Sequence, residues 1–143
     1  MRENSRMLPE GEIRSHGRPV LVVDDSENNA AMLEIAISGI PEVSVVLASS
    51  AFEAWRILSA DSRPIYAIVT DLNMPLMDGY ELIRRIRADG RLAATPIVVV
   101  SADTDPGTPD RIARMGVSAF FPKPFSPAQV RRKLEQILNG TTD

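Results

Sequence analysis

The feature that most narrows the possible folds is a rhythm of five short apolar runs, each followed by a segment with helical spacing. The runs are Val20–Val23, Val43–Leu47, Ile65–Thr70, "IVVVS" at 97–101 and "SAFFP" at 118–122. A short β-branched run without polar alternation is the pattern of a strand covered on both faces. Between the runs, apolar residues recur at helical intervals. Ala51, Ala54, Trp55 and Leu58 fall at i, i+3, i+4 and i+7, one face of a helix, which makes Trp55 a packing residue rather than a ligand platform. "SENNAAMLEIAISG" offers Ser26 as an N-cap, Gly39 as a stop, and Met32, Leu33, Ala36 and Ile37 as the inward face. "DGYELIRRIRADG" turns Leu82, Ile83 and Ile86 inward and Arg84, Arg85 and Arg87 to solvent, with a basic interaction patch as the alternative. A short fourth helix has Thr108 as cap, Pro109 in its first turn and Gly116 as its stop. The fifth runs from Ser126 and Pro127 to Gly140, with Val130, Leu134, Ile137 and Leu138 inward. Strands alternating with helices in this way imply βαβ units. The expected class is α/β, a doubly wound five-stranded parallel sheet with helices on both faces.

Length and charge narrow the function. A chain of 143 residues, 44% hydrophobic and 24% charged, suits one soluble domain with a real core. Its net charge of −3 supplies no global field toward nucleic acid or an anionic membrane. The absence of cysteine excludes disulfides and thiolate chemistry. The single histidine, His16, cannot build a multi-histidine metal site and reads as a solvated residue. No stretch approaches the roughly 18 apolar residues that span a bilayer. The opening "MRENSRMLPEGEIRSHGRP" mixes both charge signs and lacks the apolar centre of a signal peptide. A cytoplasmic location is expected. Residues 1–18 read as a flexible N-terminal tail, 19–140 as the folded domain and 141–143 as a C-terminal tail.

In an open parallel α/β sheet, ligands bind beyond the carboxyl ends of the strands. Here those ends carry Asp24 and Asp25 after the first run, Asp71 after the third, Ser101 closing the fourth and Lys123 just after the fifth. Three carboxylates cannot all stay ionised side by side unless a positive charge joins them. Hard carboxylate oxygens with open positions suit Mg²⁺; Ca²⁺ would ask for more ligands, and Zn²⁺ for His or Cys. Lys123 can pair with a carboxylate or a phosphoryl oxygen, and Ser101 can donate a hydrogen bond to that oxygen. The set fits phosphoryl transfer to a carboxylate.

The motifs "VVDDS", "DLNMPLMDGYEL", "VVVSA" and "FFPKPF" together resemble those of response regulator receiver domains. The resemblance covers nearly all of residues 19–140, with 30 residues from Asp71 to Ser101 and 52 from Asp71 to Lys123. It implies the flavodoxin-like (βα)5 fold with strand order 2-1-3-4-5. It also implies that Asp71 is the phosphoacceptor, charged from a phosphohistidine on a sensor histidine kinase or a histidine phosphotransfer protein. Asp25, Asp71 and the backbone carbonyl of Asn73 become direct Mg²⁺ ligands, with Asp24 helping through water and Mn²⁺ as a substitute ion. Lys123 would contact the phosphoryl group, across a cis Lys123–Pro124 bond. Ser101 would shift toward the phosphoryl oxygen and Phe120, at the position of the family's switch aromatic, would follow it inward. That movement remodels the surface of the fourth helix, fifth strand and fifth helix to control partner binding. For Phe120 the alternative is a fixed core aromatic. The resemblance implies a signalling domain rather than an enzyme, limited to accepting phosphate and slowly losing it, with a phosphorylation-dependent dimer among its allowed states.

Two departures from the family pattern stand out. Position 101 is Ser rather than the commoner Thr, which keeps the hydroxyl and loses a methyl. "DTDPGTPDR" at 103–111 puts two prolines and a glycine where the fourth helix would begin, so that helix should be short and start late. Asn73 and Asp103 stand where the family tunes dephosphorylation. Among rival classes, a haloacid-dehalogenase-type phosphatase needs a second Asp two residues beyond the nucleophile, and Asn73 stands there. Nucleotide-binding glycine motifs do not occur. A pseudo-receiver scaffold would not need Asp25, Asp71 and Lys123 intact. The output stays open between direct partner binding, phosphate relay, a phosphate sink and the receiver half of a longer regulator.

Overall fold

The computed structural model describes residues 17–60 and 64–140. Five strands alternate with five helices: β1 Arg18–Val23, α1 Glu27–Ser38, β2 Val43–Ala48, α2 Ala51–Ala60, β3 Ala67–Thr70, α3 Gly79–Ala88, β4 Ile97–Ser101, α4 Thr108–Arg114, β5 Ala119–Pro122 and α5 Pro127–Asn139. The strands are all parallel, in the order β2-β1-β3-β4-β5, as the resemblance implies.

Because strand side chains alternate between faces, each strand feeds two cores. Leu21, Val23, Ile68, Ile97 and Val99 pack on one face with residues of α2, α3 and α4, among them Leu58, Leu82, Ile83, Ile86 and Ile112. Val20, Val22, Ala67, Val69, Val98 and Val100 pack on the other with Leu33 and Ile37 of α1 and Val130 and Leu134 of α5. The central strands β1, β3 and β4, buried along nearly their whole length, have no polar side to show, and this explains their apolar sequence. Parity also separates the two neighbouring aromatics of β5: Phe120 joins the first core and Phe121 the second.

Helix starts follow the capping logic at three places. Ser26, Asp78 and Ser126 accept from the backbone N–H of Asn29, Glu81 and Gln129 at 3.3, 2.9 and 3.2 Å. Thr108 departs from its expected role: it is the first residue of α4, its side chain is buried, and Gly107 is the N-cap without a side-chain bond. The helix is seven residues long, in keeping with the two prolines and the glycine around its start.

Three further expectations change. Met32 is exposed, because α1 turns a stripe of Leu33 and Ile37 inward. Arg87 is not part of a solvated face. Its guanidinium donates to the carbonyls of Met115, Ala93, Thr95 and Gly116 at 2.8–3.2 Å, whereas Arg84 and Arg85 are exposed and pair with Glu81. Arg18 belongs to β1 rather than to a tail, and its guanidinium donates to the Leu138 carbonyl at 2.7 Å, tying the first strand to the last helix. Residues 1–16, His16 among them, and the expected C-terminal tail 141–143 lie outside the described residues. No helix among the described residues is long and apolar enough to cross a membrane.

Candidate functional site

Parallel strands end on one edge of the sheet, and the expected site residues gather there. The backbone continues the ladder past the strands: the Asp71 N–H donates to the Val23 carbonyl at 3.1 Å, and the Lys123 N–H to the Ser101 carbonyl at 2.9 Å. Asp71 is thereby hung from the end of β1, beside Asp24, and Lys123 from the end of β4.

The side chains complete the cluster. Asp71 Oδ1 accepts from the backbone N–H of Leu72 at 2.6 Å and of Asn73 at 3.3 Å. Its Oδ2 accepts from Lys123 Nζ at 3.0 Å. The same ammonium lies 3.0 Å from Asp24 Oδ2, so one lysine spans two acids. Asp24 Oδ1 accepts from the Ser26 N–H at 2.8 Å, while its buried Oδ2 has the Lys123 charge near it but no hydrogen bond of its own. Asp24 and Asp71 are buried and Asp25 is exposed, and one carboxylate oxygen from each of the three lies within 4.8 Å of the others.

Burial pushes the Asp24 carboxyl above its ordinary range, against the opposing pull of the Ser26 N–H and of Lys123. Burial also pulls the Lys123 ammonium down, but its hydrogen bond to Asp71 and its charge attraction to Asp71 and Asp24 outweigh that, and the net shift is upward. With every group ionised, three carboxylates face one ammonium, an excess of two negative charges. Hard oxygen donors, a buried oxygen without a hydrogen bond and an excess of two charges fit a divalent cation such as Mg²⁺.

Ser101 is fully buried at the end of β4. Its Oγ accepts from the Asp103 N–H at 3.2 Å and, at a longer 3.4 Å, from Asn73 Nδ2. Asn73 therefore touches both Asp71 and Ser101. Phe120 is half-buried, one pleat from Ser101 on the same face of the sheet, since Val99 pairs with it in register. It lines a cavity of about 150 Å³ with Pro109, Ile112 and Val117. The Lys123–Pro124 bond is cis.

One residue of the site escapes a reading based on chemistry-bearing side chains. Gly79 opens α3, and a Cβ there would lie 2.1 Å from the Asp71 carbonyl oxygen and 2.7 Å from Leu72 Cα. Its N–H donates to the Leu72 carbonyl at 2.9 Å. Only glycine lets the helix start fold back this closely on the segment that carries Asp71. The sequence signal is the Asp78–Gly79 pair, which marks a helix start and, less obviously, a close approach of backbone to backbone.

The chain is similar in sequence and in fold to known proteins. The family model described as the response regulator receiver domain matches residues 20–135. Chemotaxis protein CheY1 of Helicobacter pylori is 33% identical over 124 residues, 87% of this chain and 98% of that protein. The chemotaxis protein CheY homolog of Campylobacter jejuni is 30% identical over 119 residues, 83% of this chain and 91% of that protein. A response regulator receiver protein from Pseudomonas putida superposes with a TM-score of 0.73 at 36% identity, covering 87% of this chain and 97% of that one. The chemotaxis response regulator CheY4 of Vibrio cholerae does so with a TM-score of 0.75 at 26% identity, covering 85% and 99%. Acids at the ends of β1 and β3, a hydroxyl closing β4 and a lysine beyond β5, on a five-stranded sheet of this order, are carried by a chain that belongs to the response regulator receiver domain family.

Proposed function

We propose that this chain is the phosphoacceptor of a two-component or phosphorelay system and that Asp71 takes the phosphoryl group. The observation that carries the reading is the Lys123 ammonium held 3.0 Å from both Asp71 and Asp24. It places a fixed positive charge beside a buried carboxylate at the open edge of the sheet. In the transfer, an Asp71 carboxylate oxygen forms a bond to phosphorus as the P–N bond of a donor phosphohistidine breaks. The imidazole nitrogen leaves with the electron pair and takes up a proton. Lys123 holds its charge against the phosphoryl oxygens, where charge accumulates. Asp25, Asp71 and the Asn73 backbone carbonyl would hold Mg²⁺, or Mn²⁺, with Asp24 in support. When bound, the ion supplies further charge neutralisation and oxygen coordination at the same place.

On this reading the chain is a switch rather than an enzyme, because Asn73 cannot act as the acid that turnover would need. Ser101 turns toward the new phosphoryl oxygen, Phe120 follows into the space it leaves, and the surface formed by α4, β5 and α5 changes. The donor is a sensor histidine kinase or a histidine phosphotransfer protein. The named chemotaxis relatives, matched over nearly their whole length, favour output by binding a protein partner.

Acetyl phosphate tests the assignment without a kinase, since its acetate leaves from phosphorus as the imidazole would. Intact-mass measurement should show one phosphoryl group on the wild type with Mg²⁺, none on Asp71→Ala, and a strong reduction on Asp25→Ala. Equal labelling of wild type and Asp71→Ala rejects the phosphoacceptor.

A further inference from the structure

Every second residue from Ser101 to Gly107 takes part in one hydrogen-bonded staircase. The Asp103 N–H donates to Ser101 Oγ at 3.2 Å, the Asp105 N–H to Asp103 Oδ1 at 2.9 Å, and the Gly107 N–H to Asp105 Oδ1 at 2.8 Å. Each rung is a side-chain oxygen accepting from the backbone two residues on, the local pairing by which Ser and Asp compete with regular structure. Its upper end is α4 itself. Gly107 is the N-cap and lacks a side-chain cap bond. The Thr108 N–H donates to the Asp105 carbonyl and the Arg111 N–H to the Gly107 carbonyl, both at 3.0 Å. Beyond it, Thr108 Oγ1 lies 3.5 Å from the Tyr80 hydroxyl, and the Arg111 guanidinium stacks 3.7 Å over the Tyr80 ring. The staircase thus joins a buried hydroxyl, linked to Asp71 through Asn73, to a helix start pinned on α3.

The hydroxyl end is decided by counting lone pairs. A serine hydroxyl offers two acceptor positions and one proton. The Asp103 N–H and Asn73 Nδ2 both address the acceptor side of Ser101, so turning the side chain breaks both contacts. Threonine's methyl would stiffen χ1 by branching. Serine lacks it, and here hydrogen bonds hold the rotamer instead.

We propose that Asp105 is a positioning residue: through Asp103 it holds the Ser101 hydroxyl in its resting orientation and ties its rotation to the first turn of α4. The proposal rests on the reading of Asp71 as phosphoacceptor for the event that turns Ser101. The exposed Asp105 touches neither Asp71 nor Lys123 and acts only through the staircase.

Two measurements on the resting full chain read the staircase without phosphoryl chemistry: amide hydrogen exchange along 103–107 and the Hα–Hβ couplings that report the Ser101 rotamer. In the wild type, Ser101 should show one rotamer. In Asp105→Ala, exchange at the Asp103 amide, two rungs away, should quicken about fivefold, the net worth of one hydrogen bond. The Ser101 couplings should average, and Asp71 labelling by acetyl phosphate with Mg²⁺ should speed by a similar factor. Asp105→Asn keeps an Oδ1 acceptor and should restore all three. Faster exchange at Gly107 alone, with Ser101 couplings and labelling unchanged, overturns the proposal. A Ser101 response to Asp105→Ala, in a chain that no variant lets acetyl phosphate label, supports the positioning role and rejects the phosphoacceptor reading instead.

Discussion

Asp24 shows what a buried acid does when its partners do not fully compensate it. Its carboxyl is raised chiefly by burial. The unfolded group titrates near 3.8, so as pH rises the unfolded chain gives up this proton before the folded one does. The folded state binds more protons across that window, and the Asp24 contribution to stability falls with rising pH until the folded carboxyl has ionised. Lys123 acts in the opposite range: its stabilisation is complete below its unfolded value of 10.5 and is lost as pH climbs through the raised folded value. In metal-free urea unfolding from about pH 4 to 7, Asp24→Asn should therefore gain stability relative to wild type as pH increases. A difference that stays flat across this range would contradict the burial argument. The two aspartates can be named from sequence because strand ends are where such acids collect. The unequal burial of Asp24 and Asp25 cannot, since it is set by the tertiary packing around the end of β1, which brings Asp71 and Lys123 from far along the chain against Asp24.

Among the elements, the β3–α3 connection is the most tightly built. A Cβ at Gly79 would lie inside contact distance of backbone atoms of Asp71 and Leu72, which cannot swing aside as a side chain would. Gly79→Ala should cost about 3 kcal/mol in denaturant unfolding, at the high end for overpacking, and should depress Asp71 labelling by acetyl phosphate. Gly90→Ala, where an added Cβ would meet nothing within 4 Å, is the control and should leave both unchanged. Element identity is legible in the sequence throughout: apolar runs mark strands, and Ser26 and Ser126 mark helix starts. Rotational phase is less so. In α1 four apolar candidates, Met32, Leu33, Ala36 and Ile37, span more arc than one helix face buries, and only packing against the sheet and α5 selects Leu33 and Ile37. Arg87 departs from its expected place for a related reason. Helical spacing puts it outside, but its long side chain reaches the carbonyls at the C-terminal end of α4 and before β4, partners that sequence distance conceals.

At the scale of the whole molecule, the fold itself assembles the site: residues from four strand ends meet because all five strands run the same way. The alternation of the sheet adds a stricter rule. Val99 pairs with Phe120 and Ser101 with Pro122, so odd positions of β4 and even positions of β5 look toward the same helical layer. The chain in this region is therefore a text read two letters at a time, and the reading frame is what matters. One residue inserted between Ala119 and Phe120 would exchange the two aromatics between cores and displace Lys123 from the two acids, without replacing a single side chain. One residue inserted beside Gly90 would shift no frame. The first insertion should abolish cooperative unfolding or Asp71 labelling, and the second should preserve both. For this protein a deletion or insertion within a strand is a more severe event than most substitutions, and its severity is set by parity rather than by chemistry.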